Sequence, residues 1–153
     1  VLKQMRDMGM NQLFIGSDRL VSQEFLDLVK DQAGDVIAGF PYNPVSTDPV
    51  FLEFVKDFQA RYGEAPETYA AHAYDGTVMT IQAIERAGLN RALIRDELAR
   101  LTTYHGVTGE KVFDAIYNNI SPAYLARLEN GEFKFYSRAD LGLDNKVSLE
   151  ETE

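Results

Sequence analysis

Near the start of this chain, two short apolar runs flank a segment with helical spacing. They are Leu13-Phe14-Ile15-Gly16 and Val36-Ile37-Ala38-Gly39-Phe40. Runs this short and continuously apolar suit strands covered on both faces, and such strands usually pair parallel. Between them Ser22 stands where a helix cap is wanted, and Phe25, Leu26, Leu28 and Val29 follow as the predicted inner side, with the helix ending near Gly34. Strand, helix, strand is the unit from which α/β domains are built, so this segment constrains the fold more than any other.

The rest of the chain extends the pattern with helices and then changes character. Asp48-Pro49 is a helix start, a capping carboxylate followed by proline at the first helical position. Phe51, Phe54, Val55 and Phe58 recur at helical spacing and form a core stripe that Tyr62-Gly63 brings to an end. Thr68 is the expected cap of a long helix running to Ala87, with Gly88 beyond its end. Asn90 caps a further helix carrying Leu93, Ile94, Leu98 and Leu101. After Gly106 the character of the chain changes. Val112-Phe113, Ala123 to Leu128 and Phe133 to Tyr136 read as strands, and Asn130-Gly131 between the last two is a hairpin turn. The fold class is therefore α/β, a mostly parallel sheet flanked by helices, with antiparallel C-terminal strands. Residues 1–136 are expected to form one lobe and residues 137–153 a C-terminal extension.

Composition narrows the function. The 153 residues carry a net charge of −9, which excludes a nucleic-acid partner because phosphate binding needs clustered Lys and Arg. No cysteine is present, so disulfides, thiolate catalysis and zinc–thiolate sites are excluded. No apolar run approaches the ~20 residues of a membrane-spanning helix. Val1 to Gly9 read as the end of a helix stopped by glycine, so the chain is expected to begin inside an element. Neither a signal peptide, a nucleophile elbow nor a dinucleotide fingerprint is visible. His72 and Asp75 stand at i, i+3, but two ligands do not make a metal site. Gly106-Val107-Thr108-Gly109 lacks the lysine of a phosphate loop. No cofactor is expected.

Several segments, in order, resemble the type 1 periplasmic solute-binding proteins, the leucine/isoleucine/valine-binding class. They are GM-x2-LFIGSD at Gly9 to Asp18, DPVFLEFVKDFQARYGEAPETYAAHAYDG at Asp48 to Gly76, AIERAG at Ala83 to Gly88, IRDEL at Ile94 to Leu98 and GVTGEKVFD at Gly106 to Asp114. The chain departs from that pattern at two places. The polar turn after the Phe-Asp pair is replaced by Ala115-Ile116-Tyr117-Asn118-Asn119-Ile120, and the last residue of the Tyr-Asp-Ala triplet is Gly76.

The resemblance implies one lobe of a two-lobed ligand trap, the C-terminal lobe, with an amino acid or similar small polar solute held between the lobes. It implies a membrane ABC permease as partner and a periplasmic or extracellular location. Asp18, just past the first strand, matches the carboxylate that holds a ligand's ammonium group. Tyr69 matches an aromatic that lines the ligand pocket. Tyr42, Ser17 and Tyr74 complete the expected ligand-binding set. Asp75 is expected to bond a loop or a hinge strand, and Tyr74 to fill core space as well. Alone, the chain is expected to hold solute only negligibly and to self-associate through an exposed cleft face. A ligand-sensing domain of a receptor or regulator is the alternative reading, and an enzyme lobe a third.

Overall fold

A computed structural model describes residues 1–29 and 33–142, so the tail expected at 137–153 lies mostly outside the described residues. The elements, in chain order, are α1 (Leu2–Asp7), β1 (Phe14–Gly16), a short 3-10 turn (Asp18–Leu20), α2 (Gln23–Val29), β2 (Val36–Phe40), α3 (Pro49–Tyr62), α4 (Thr68–Ala87), α5 (Arg91–Ala99), β3 (Thr103–Gly106), β4 (Gly109–Val112), β5 (Tyr124–Glu129) and β6 (Glu132–Tyr136). They fall into two compact units, one made of residues 1–42 and 122–153, the other of residues 43–121. The lobe expected over residues 1–136 covers parts of both.

The first unit is a sheet with helices. Its strand order is β1-β2-β5-β6. β1 and β2 pair parallel, Phe14 opposite Val36 and Gly16 opposite Ala38, as the two apolar runs predict, but the first run is not covered on both faces: β1 is the edge strand of the sheet, and Leu13 and Ile15 are exposed. β5 pairs antiparallel with both β2 and β6. The turn between β5 and β6 places Asn130 at φ 52° and Gly131 at φ 83°, the left-handed pair that Asn-Gly supplies cheaply. Val36, Ala38 and Ala126 are fully buried. Leu2, Val29, Ala33 and Val36 form a core on which Phe14, Leu20, Phe25, Leu128 and Phe133 pack. Ser22 caps α2 as expected, its Oγ accepting the Phe25 N–H at 3.1 Å. Leu28 is a correction: it is exposed, because a helix this short turns only one side to the core.

The second unit is built of α3, α4, α5 and the β3–β4 hairpin. Asp48 Oδ1 accepts the Val50 N–H at 2.8 Å and Pro49 opens α3, which ends at Gly63 in the left-handed conformation. Gly88 ends α4 at φ 67°. Asn90 Oδ1 accepts from the N–H groups of Ala92 and Leu93 at the start of α5. Thr68 is a second correction. It is the first helical residue, Glu67 takes the cap position without a side-chain bond, and the Thr68 carbonyl is 2.8 Å from His72 Nδ1. β3 is a strand the sequence did not reveal. It pairs antiparallel with β4, Thr103 opposite Val112 and Gly106 opposite Gly109.

Candidate functional site

β1 and β2 run parallel with Gly16 opposite Ala38, so the chain leaves both strands at the same edge of the sheet. Ser17-Asp18 follows β1 and Tyr42 follows β2, which brings three of the expected ligand-binding residues to that edge. Carboxyl ends of parallel strands are where open α/β sheets bind ligands. Ser17 is extended, at φ −86° and ψ 175°, and the 3-10 turn closes behind it, with Leu20 N donating to Ser17 O at 3.1 Å and Val21 N to Asp18 O at 2.9 Å. The turn is held by its backbone and leaves the Asp18 side chain uncommitted. Ser17 makes no side-chain cap bond, and among the described residues the Asp18 carboxylate forms no hydrogen bond or ion pair. Tyr42 is buried, its ring centroid 5.5 Å from that of Phe40, which lies 5.1 Å from Phe135.

Tyr69 and Tyr74 belong to the second unit, both on α4 and both half exposed. Five residues of helix rotate a side chain by about 500°, so the two rings leave the helix about 140° apart and on different faces. Tyr74, expected to fill core space, instead walls a groove between α3 and α4, with its ring 4.9 Å from Phe54. The groove holds about 710 Å³ and is lined by Phe54, Phe58, Tyr62 and Tyr74, with Glu53 and Arg61 among its polar groups. The aromatic stripe of α3 announced a core, but not that one side of it would stay open.

Asp75 is the most heavily bonded carboxylate of this unit. It is 3% exposed. Oδ1 accepts the Val107 N–H at 2.8 Å, and Oδ2 accepts the Thr108 N–H at 2.9 Å and the Thr108 hydroxyl at 2.5 Å. The Tyr104 hydroxyl donates to Oδ1 at 3.5 Å. The loop that Asp75 was expected to bond is thus the turn of the β3–β4 hairpin. Gly106 has to be glycine, since a Cβ there would collide with Asp75 Oδ1 and the Tyr104 ring. Burial, followed by the Asp75 charge and bond, pushes the Tyr104 hydroxyl up to about 12. Burial also pushes the Lys111 ammonium down, against the pull of Asp75. These groups form a structural clamp, with their donors and acceptors turned toward one another.

The histidines do not build a metal centre, and the described residues contain no cluster of three or more His, Asp or Glu able to hold an ion. His105 Nε2 lies 3.0 Å from Asp48 Oδ2, and His72 bonds its own helix.

Residues 1–132 match the family of periplasmic binding proteins. Over 134 residues the chain is 28% identical to a Leu/Ile/Val-binding protein homolog 2 of Brucella abortus, a match that covers 86% of this chain and 36% of that protein. Its fold matches the isoleucine complex of LivJ, a branched-chain amino acid transporter substrate binding protein of Streptococcus pneumoniae, with TM-score 0.72 and 30% identity over 89% of this chain and 40% of that one. A putative branched-chain amino acid ABC transporter of Rhodospirillum rubrum matches with TM-score 0.70 and 31% identity, over 87% of this chain and 39% of that one. The chain thus spans a little over a third of the curated relative. With the family pattern running through the β1 edge and the Asp75 clamp alike, the chain belongs to the periplasmic binding protein family.

Proposed function

We propose that the whole protein is the extracytoplasmic solute-binding component of an ABC transporter, and that it closes two lobes around an amino acid or a similar small polar solute. The observation that carries this reading is the uncommitted Asp18 carboxylate at the carboxyl edge of β1, with Ser17 beside it and Tyr42 at the end of the neighbouring strand. A carboxylate without a partner among the described residues suits an ammonium group, because a charge-assisted hydrogen bond is the strongest single contact a small ligand can make there. Tyr69 is proposed as a further solute-contacting aromatic, offering apolar area and one hydroxyl, whereas Tyr74 faces the separate groove between α3 and α4. Similarity to proteins whose names specify leucine, isoleucine and valine favours a branched-chain amino acid as solute. Periplasmic or extracellular location and docking to a membrane permease are part of the same proposal.

Calorimetric titration of the full-length protein with a panel of amino acids tests this reading. We expect saturable binding of at least one of them. We expect residues 1–153 alone to bind the same solute more weakly than about 1 mM, which corresponds to only ~4 kcal/mol, because most of the solute's surface would stay in water. Binding of no amino acid by the full-length protein would end the amino-acid reading.

A further inference from the structure

Gly16 is the last residue of β1, directly before Ser17 and Asp18. Its backbone does not require glycine, since Gly16 is not among the residues with positive φ. A strand glycine without that need marks a place where another group approaches closely. Here the group is the Leu20 side chain. A Cβ on Gly16 would overlap Leu20 Cδ1 and stand 3.0 Å from its Cγ. The branch point is involved as well as the methyl, so swinging the end of the side chain aside does not clear the contact.

Leu20 is also fastened to the core. It packs on the cluster of Leu2, Val29, Ala33 and Val36. Phe14 and Gly16 point to one face of β1, opposite the buried residues Val36 and Ala38, while Ile15 points to the other face and is exposed. Leu20 thus folds back over the covered face of the sheet, in the space that the missing side chain of Gly16 leaves. The turn that carries it is bonded throughout. Leu20 N donates to Ser17 O at 3.1 Å, Val21 N to Asp18 O at 2.9 Å and Ser22 N to Leu20 O at 3.0 Å. Asp18 stands two residues before Leu20 in that same turn, so a displacement of Leu20 is passed on to Asp18.

We infer that Gly16 and Leu20 are positioning residues for the solute. The gap over Gly16 seats Leu20, and the seated Leu20 sets where the Asp18 carboxylate stands. The inference rests on the reading of Asp18 as the partner of a solute ammonium group. Neither positioning side chain has to touch the solute. A hydrogen bond depends on direction as well as distance, so a shift of about 1 Å in the turn is enough to weaken it.

The test is calorimetric titration of leucine and its des-amino analogue, 4-methylpentanoate, into the full-length protein, its Gly16→Ala and Leu20→Ala variants, and the double variant. In Gly16→Ala we expect the preference for leucine to fall at least about fivefold, with affinity for 4-methylpentanoate kept within about twofold. A merely structural role would weaken both ligands together. Leu20→Ala frees the turn without adding bulk, so it should lower the same preference. Adding Gly16→Ala to it should cost nothing further, because the group it collides with is gone. An undiminished preference in Gly16→Ala, an equal loss of both ligands, or a further loss in the double variant would overturn the inference and leave the assignment of Asp18 standing. If Gly16→Ala does not fold, Leu20→Ala decides, and a full preference for leucine in that variant overturns the inference. A wild type that does not prefer leucine would overturn the assignment of Asp18 and this inference with it.

Discussion

Asp75 and Thr108 are joined through one carboxylate oxygen, which accepts both the backbone N–H of Thr108 at 2.9 Å and its hydroxyl at 2.5 Å. The two residues are 33 positions apart, and the contact fastens the hairpin turn to the middle of α4. Removing the carboxylate by Asp75→Ala would strand the buried N–H groups of Val107 and Thr108. Buried groups left without partners cost about 1–3 kcal/mol each, so a loss of about 3 kcal/mol is expected in urea unfolding. A loss below ~1 kcal/mol would show that the hairpin does not depend on the clamp.

Gly106→Ala is expected to destabilise through the same contact, because its new methyl would meet Asp75 Oδ1 and the Tyr104 ring. Residues in contact couple by about 0.5–3 kcal/mol, so the double variant with Asp75→Ala should cost less than the sum of the two single changes. Additive losses would place the strain of Gly106→Ala elsewhere.

Tyr104 gives the unit an alkaline limit. Its hydroxyl is raised from an ordinary value of 10.0 to about 12 by burial and by Asp75. The proton is therefore held more tightly in the folded chain than in the unfolded one. Its contribution is fully present below about pH 10 and is lost as pH rises toward 12. Thermal midpoints measured from pH 8 upward should fall more steeply above pH 10 for the wild type than for Tyr104→Phe. Parallel curves would remove Tyr104 from the alkaline transition.

Asp48 serves two neighbours, one oxygen accepting the Val50 N–H at 2.8 Å and the other lying 3.0 Å from His105 Nε2. Asp48→Ala should cost about 1 kcal/mol from the lost helix cap, with the exposed contact to His105 adding little. Urea unfolding of Asp48→Ala beside His105→Ala separates the two roles. If the histidine variant costs as much, the contact between Asp48 and His105 and not the cap is the important one.

What the sequence made legible was chemistry that acts within a few residues. Asp48-Pro49, Asn90, Gly63, Gly88 and Asn130-Gly131 each fix a local dihedral or satisfy a local N–H, and each stands where it was expected. The parallel pairing of Phe14–Gly16 with Val36–Phe40 was legible because both runs are apolar throughout. β3 was not, since Thr103-Tyr104-His105-Gly106 has no apolar alternation and its hairpin turn is tied to an aspartate more than thirty residues upstream. Asp75 itself was expected to bond a loop, but which loop depended on that hidden strand. Leu28 and Tyr74 failed for a common reason: residue type shows that a side chain favours burial, while the number of elements around it decides how much burial it gets. Ser17, Asp18 and Tyr42 reach one sheet edge because strand direction places them there, whereas the separation of Tyr69 and Tyr74 around α4 follows from helical geometry alone.

The central claim is that Asp18 holds the ammonium end of a solute, and the most direct measurement is a calorimetric cycle on the full-length protein. Leucine and its des-amino analogue, 4-methylpentanoate, are titrated into the wild type and into Asp18→Asn. A hydrogen bond between charged groups contributes about 1.5–3 kcal/mol, so the wild type should prefer leucine by tenfold or more and the variant should lose most of that preference. A preference for leucine that survives Asp18→Asn undiminished would contradict the assignment.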